Sequence, residues 1–140
     1  MTTVEVPSLE RLRALQAEGM QVGYKGIYIY LRYRAILEAL AGIGFDRVLE
    51  VGCGYGIFSR LLPADIDYVG VDTGEAEVRV ASAWAAAHRP SWRLLREPVT
   101  AHARADAAFD LVLLSEVLEH VPEHDAEATR TSASPVSTPT

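Results

Sequence analysis

Two carboxylates and three glycines carry the chemistry open to this chain. Val48-Leu49-Glu50-Val51-Gly52-Cys53-Gly54-Tyr55-Gly56 is an apolar run that turns into alternating glycines. Glu50 stands two positions before the first glycine, and Asp72 closes the next apolar run, Tyr68-Val69-Gly70-Val71-Asp72. Glycines at a strand end let a ligand touch bare backbone. A carboxylate about 20 residues further on has two acceptor oxygens and can take both hydroxyls of a ribose. The pattern describes a nucleoside-binding βαβ unit. Its spacing narrows the ligand, because a pyrophosphate fingerprint needs a third small residue for close helix packing. Ile57 occupies that position. Its branched side chain argues against a pyrophosphate at the helix N-terminus, and so against a nicotinamide dehydrogenase.

Positioning these residues requires strands alternating with helices. Ser8, after Pro7, can cap a helix carrying Leu9, Leu12 and Leu15, with Gly19 as a stop. A glycine-punctuated loop over 19–26 leads to a helix over 27–41, where Tyr33, Ile36, Leu37 and Leu40 make one apolar face. Strands are expected at 47–51, 68–72, 92–96 and 111–115. Helices are expected at 56–62, stopped by Pro63, and at 75–88, closed before Pro90. The alternation implies an α/β fold, with a mainly parallel sheet and right-handed crossovers. Residues 111–114, apolar on both faces, read as a buried parallel strand.

The pattern E-x-G-x-G-x-G followed by a strand ending in Asp resembles class I S-adenosylmethionine-dependent methyltransferases. Phe109-Asp110-Leu111-Val112-Leu113-Leu114-Ser115-Glu116-Val117-Leu118-Glu119-His120-Val121 strengthens the match. Its SEVLEHV wording is similar to small-molecule O-methyltransferases of the ubiquinone-biosynthesis type. The resemblance covers about residues 27–123 and implies a Rossmann-like sheet in the order 3-2-1-4, S-adenosylmethionine as cofactor and a small-molecule acceptor. It also implies roles. Gly52 and Gly54 let backbone approach the amino-acid half of the cofactor, with Cys53 and Gly56 in the same turn. Glu50 orients that loop or reaches the ligand's amino group; capping of turn amides is the equal alternative. Asp72, beside Thr73, takes the ribose hydroxyls, or else caps the following helix. Glu97 is the nearest candidate for adenine, and Ser115 and Glu116 face the cleft at the fourth strand's end.

Methyl transfer from a sulfonium is an in-line displacement that needs alignment, dryness and, for an oxygen acceptor, a base or a metal. His120 is the candidate base. Glu116, Glu119 and His120 share one helix face and resemble a divalent-metal cluster of related enzymes. Those relatives add a later His, for which His124 is the nearby substitute, and a solvated polar helix start without metal is the preferred reading. Tyr24, Tyr28, Tyr30 and Tyr33 are read as rings packed on the sheet in preference to a lid over the site.

Bulk properties agree. The 140 residues make one domain, and the net charge of −6 disfavours nonspecific nucleic-acid or anionic-lipid partners. Cys53 is the one cysteine, which excludes an intrachain disulfide, and inside the turn it reads as a packed residue more than a nucleophile. The chain has no apparent signal peptide and no uncharged stretch long enough to span a membrane, so a cytoplasmic location is expected. Three parts are expected: an N-terminal helix and loop over 1–26, a partial methyltransferase domain over 27–125, and a disordered Ser/Thr/Pro/Ala tail over 126–140. The family continues through three further strands. A C-terminally truncated methyltransferase is therefore expected, in preference to a half-domain that self-associates through the bare fourth-strand edge or a domain completed by another chain. The rival reading is a non-catalytic domain that binds the cofactor weakly or serves as an interaction module.

Overall fold

The computed structural model describes residues 1–6, 8, 10, 11, 14, 25–98 and 109–114. Its frame is a four-stranded parallel sheet in the order β3-β2-β1-β4. The strands are β1 (Arg47–Val51), β2 (Asp67–Asp72), β3 (Arg93–Arg96) and β4 (Leu111–Leu114). Helix α1 (Lys25–Leu40) precedes β1, and α2 (Glu75–His88) joins β2 to β3. The α/β class and the strand order match the expectation. Ser115, the expected last residue of β4, lies outside the described residues.

Register assigns each strand residue to a face. Glu50 pairs with Gly70 on β2 and with Leu113 on β4, and Val48 pairs with Tyr68 and Leu111. Partners across a parallel pair point the same way and alternate along the strand. One face therefore carries Val48, Glu50, Tyr68, Gly70, Leu111 and Leu113. Against it pack Leu37 and Leu40 of α1, Ala85 of α2, Phe58, Leu62 and Trp92, with Tyr33 and Ile36 partly buried beside them. The expected apolar stripe of the first long helix is thus the stripe that docks. The other face carries Leu49, Val51, Val69 and Val71, with Leu95, Val112 and Leu114 alongside. Asp110 ties the sheet at its start, accepting the Asp46 and Arg47 amides at 2.8 and 3.0 Å on one oxygen.

The expected helix over 56–62 is instead a short 3-10 turn, Phe58–Leu61. Local hydrogen bonding explains the tighter winding. Gly56 is held at φ 77, outside the helical region, and the Ser59 hydroxyl bonds back to its carbonyl at 2.6 Å. Ahead of Pro63, Leu62 is driven to an extended ψ of 151, which ends the turn. At the other end of the chain Ser8 Oγ accepts the Arg11 amide at 3.2 Å, as a cap would; the rest of the helix expected there lies outside the described residues. Thr2 and Phe45 exchange backbone hydrogen bonds of 3.1 and 2.9 Å, which docks the first residues beside the start of β1.

Candidate functional site

The turn after β1 is built by three left-handed glycines. Gly52, Gly54 and Gly56 have φ of 74, 54 and 77, a region that costs other residues roughly 1–2 kcal/mol. The turn is stapled to β2, because the Gly52 and Cys53 amides both donate to the Val71 carbonyl at 2.8 and 3.1 Å. The Gly56 amide donates to the Cys53 carbonyl at 3.0 Å. The Gly54 amide donates to Asp72 Oδ2 at 2.9 Å, while Asp72 Oδ1 accepts the Gly74 amide at 2.8 Å. Asp72 thus braces the glycine turn with one oxygen and the entrance to α2 with the other. A carboxylate oxygen has two lone-pair directions, so each retains capacity for a further donor.

An open pocket of about 180 Å³ lies over this turn, lined by Arg32, Tyr33 and Ile36 of α1, Glu50, Gly52, Cys53, Gly54, Tyr55, Ile57, Phe58 and Leu113. A side chain at Gly54 would project into open space. Gly56 serves packing instead. A Cβ there would stand 3.0 Å from that of Ala81, so this glycine lets α2 close on the turn. Ile57 is buried in the pocket wall.

Glu50 is 7% exposed and accepts a 2.6 Å hydrogen bond from the Tyr68 hydroxyl. Burial pushes its carboxyl up to about 7; the Tyr68 bond pulls the other way, and the negative charge of Asp72 adds to the rise. The bond to Tyr68 was not among the arrangements expected for Glu50, and the turn amides of the capping alternative are served by Val71, Cys53 and Asp72. Burial, then the charges of Glu50 and Asp72, push the Cys53 thiol far up, so the sulfur stays protonated and packs. Burial and Glu50 also raise Tyr33, whose ring packs on Phe58 at 5.2 Å while it lines the pocket. For Tyr33 the packing and site-lining roles coincide.

The remaining expected site residues fall into two groups. Glu97 is brought beside Asp72 by the β2–β3 pairing, its amide donating to the Asp72 carbonyl at 3.1 Å, and Thr73 is exposed next to it, its carbonyl accepting from Arg96 at 3.2 Å. Ser115, Glu116, Glu119, His120 and His124 lie outside the described residues, as does Tyr24; so do the side chains of Tyr28 and Tyr30. Among the described residues no group of three or more His, Cys, Asp or Glu side chains is placed to hold a metal ion, and no helix is long and apolar enough to cross a membrane. Sequence reasoning missed Arg32, Ile36, Tyr55, Phe58, Tyr68 and Leu113. Most of these reach the site through helix docking or strand register. Tyr55 alone had a local signal, lying between two of the three glycines.

This arrangement discriminates among ligands. Four amides of the turn are already spent inside the protein, so little is left of the N–H nest that a phosphate needs. The pocket instead offers a buried carboxyl. At about 180 Å³ it is smaller than the roughly 300–1,000 Å³ that encloses a whole drug-sized ligand, so it suits a small ligand or one end of a larger one.

Comparison with known proteins agrees with this geometry. The methyltransferase-domain family matches residues 48–139. The chain is 37% identical over 95 residues to the ubiquinone biosynthesis O-methyltransferase of Photorhabdus laumondii, covering 66% of this chain and 40% of that protein. It is 35% identical to the Vibrio cholerae protein of the same name, over 66% of this chain and 39% of that one. The chain thus spans about two fifths of these curated relatives. Among solved structures, the magnesium protoporphyrin IX methyltransferase of Synechocystis with bound S-adenosylmethionine superposes with a TM-score of 0.60 at 24% identity, over 89% of this chain and 63% of that one.

Proposed function

The chain belongs to the methyltransferase-domain family, and from that premise we propose that it forms the cofactor-binding part of an S-adenosylmethionine-dependent methyltransferase acting on the oxygen of a small-molecule acceptor. The observation that carries the reading is the pocket itself: a glycine turn with its amides consumed, with Glu50 and Arg32 both among the residues that line it. An acidic and a basic residue in the lining of one small cavity suit a zwitterionic amino-acid end. Such an end, joined to a ribose, distinguishes S-adenosylmethionine from a dinucleotide.

In this reading Glu50 receives the ammonium and Arg32 the carboxylate. Asp72 receives the ribose hydroxyls with the lone pairs that Gly54 and Gly74 leave open. Glu97, beside Asp72, is the candidate for adenine. The bound cofactor would supply a methyl group activated by its sulfonium. The chain's own contribution is to fix that donor end, and the apolar walls of buried Phe58 and Ile57 and half-buried Leu113 limit water beside it. The choice of oxygen as acceptor atom rests on the ubiquinone-type relatives, and His120 remains the candidate base.

Transfer of labelled methyl from S-adenosylmethionine to a panel of phenols and catechols tests the reading. Label appearing in a phenolic product, and lost in Asp72→Ala, is the expected result. Absence of transfer from a chain that binds S-adenosylhomocysteine would contradict turnover and favour a cofactor-binding module. A second reading, with NAD as ligand, has no support in the spent turn amides.

A further inference from the structure

Tyr68 is an unusual choice for its position. The residue is fully buried, its ring lies 4.5 Å from that of Trp92, and it belongs to the main core cluster. Phenylalanine would fill that space and bring no polar atom. A hydroxyl taken out of water costs free energy unless it is bonded, and this one is bonded to Glu50 Oε2 at 2.6 Å.

The approach is built into the sheet. Gly70 is the register partner of Glu50, and Tyr68, two residues earlier, lies on the same face. A Cβ at Gly70 would stand 2.8 Å from the Tyr68 hydroxyl oxygen. The missing side chain at Gly70 is therefore what lets the phenol lie along β2 and reach across to β1. Among the described residues Tyr68 is the one hydrogen-bond partner of the Glu50 carboxyl, and none of them donates to Oε1.

We propose that Tyr68 is the positioning residue of the pocket: its hydroxyl fixes one oxygen of Glu50 from within the core and so presents the other to a cationic group of the ligand. This rests on the cofactor reading above for the identity of that cation, but the positioning itself is a property of the ligand-free chain. The charged and titratable groups around the pair come from each neighbouring element. They are Cys53 in the glycine turn, Asp72 at the end of β2, Arg32 and Tyr33 on α1, and the Ser59 hydroxyl of the 3-10 turn against Tyr68; β4 contributes the apolar Leu113. The phenol is the donor that favours the ionised carboxylate, opposing burial and the neighbouring negative charge.

Two readouts on the full chain test the proposal: NMR titration of the carbon-13-labelled Glu50 carboxyl without ligand, and calorimetric titration of S-adenosylhomocysteine at pH 6 and pH 8. In Tyr68→Phe the Glu50 midpoint should rise above the wild-type value. Affinity should fall by roughly tenfold at pH 6, the scale of one hydrogen bond to a charged group, and by less at pH 8, where the carboxyl ionises regardless. Gly70→Ala, which keeps the hydroxyl but crowds it, should move both readouts the same way, and Tyr68→Phe should add no further loss on a Glu50→Gln background. An unchanged midpoint and affinity in folded Tyr68→Phe would overturn the proposal. A raised midpoint in a chain whose wild type binds no S-adenosylhomocysteine would contradict the cofactor reading and leave the positioning standing.

Discussion

Glu50 and Asp72 sit near the ends of neighbouring parallel strands, and by sequence either is an acidic residue beside a glycine turn. In the folded chain they are opposites. Glu50 is sealed against the core with a tyrosine hydroxyl as its partner, and burial pushes it up to about 7. Asp72 is half-buried at the rim and accepts backbone amides on both oxygens, at 2.9 and 2.8 Å. One carboxyl is held by the protein interior and the other holds the protein's backbone. The difference gives them different work in the proposed function: Asp72 organises the turn and is proposed to offer spare lone pairs to neutral hydroxyls, whereas Glu50 is proposed to receive a positive charge.

The largest expected effect is the pH dependence that burial gives Glu50. The Glu50 carboxyl has an ordinary value of 4.5 and is raised to about 7 in the fold, so the native state keeps a proton that the unfolded chain has released. Its contribution to stability is full below about pH 4.5 and is lost as pH rises through about 7, a total on the order of 3 kcal/mol. Denaturant unfolding of wild type against Glu50→Gln from pH 4 to pH 8 should isolate that decline. Parallel curves would mean that burial does not hold a proton on Glu50.

Removing the other carboxylate should act without needing a pH change. Asp72→Ala strands the Gly54 and Gly74 amides and is expected to cost about 2 kcal/mol at pH 7, less than two full charged hydrogen bonds because water reaches the rim. A loss within experimental error would show that the turn holds its own shape.

The glycines sharpen the comparison further. Gly56→Ala meets both a left-handed φ and the Ala81 side chain, so about 2 kcal/mol of destabilisation is expected, whereas Gly54→Ala meets only the φ and should cost about 1 kcal/mol. Ligand affinity should rank them the other way, because the open space at Gly54 belongs to the pocket. A Gly54→Ala chain that binds S-adenosylhomocysteine normally would remove Gly54 from the site.

Much of this was legible in the sequence because it is local. The four strands, the alternating glycines, the apolar stripe of Tyr33, Ile36, Leu37 and Leu40, and Asp72 as a strand-end acceptor all follow from periodicity and short-range chemistry. The short turn at Phe58–Leu61 was not, since the back-bond from Ser59 to Gly56 competes with a full helix only once Gly56 is fixed at positive φ. The partner of Glu50 was hidden for a different reason. Tyr68 lies 18 residues away, and only the β1–β2 register together with the vacancy at Gly70 brings the two groups together. Arg32 and Phe58 likewise reach the pocket by docking of elements, which a pattern along the chain does not encode.

The most direct test of the central claim is calorimetric titration of S-adenosylhomocysteine into the wild-type chain, with Asp72→Ala and Glu50→Gln alongside and NAD as the competing ligand. The account predicts that S-adenosylhomocysteine binds, that each substitution weakens it by roughly tenfold or more, and that NAD gives no heat. A folded wild-type chain that ignores S-adenosylhomocysteine, or prefers NAD, would contradict it.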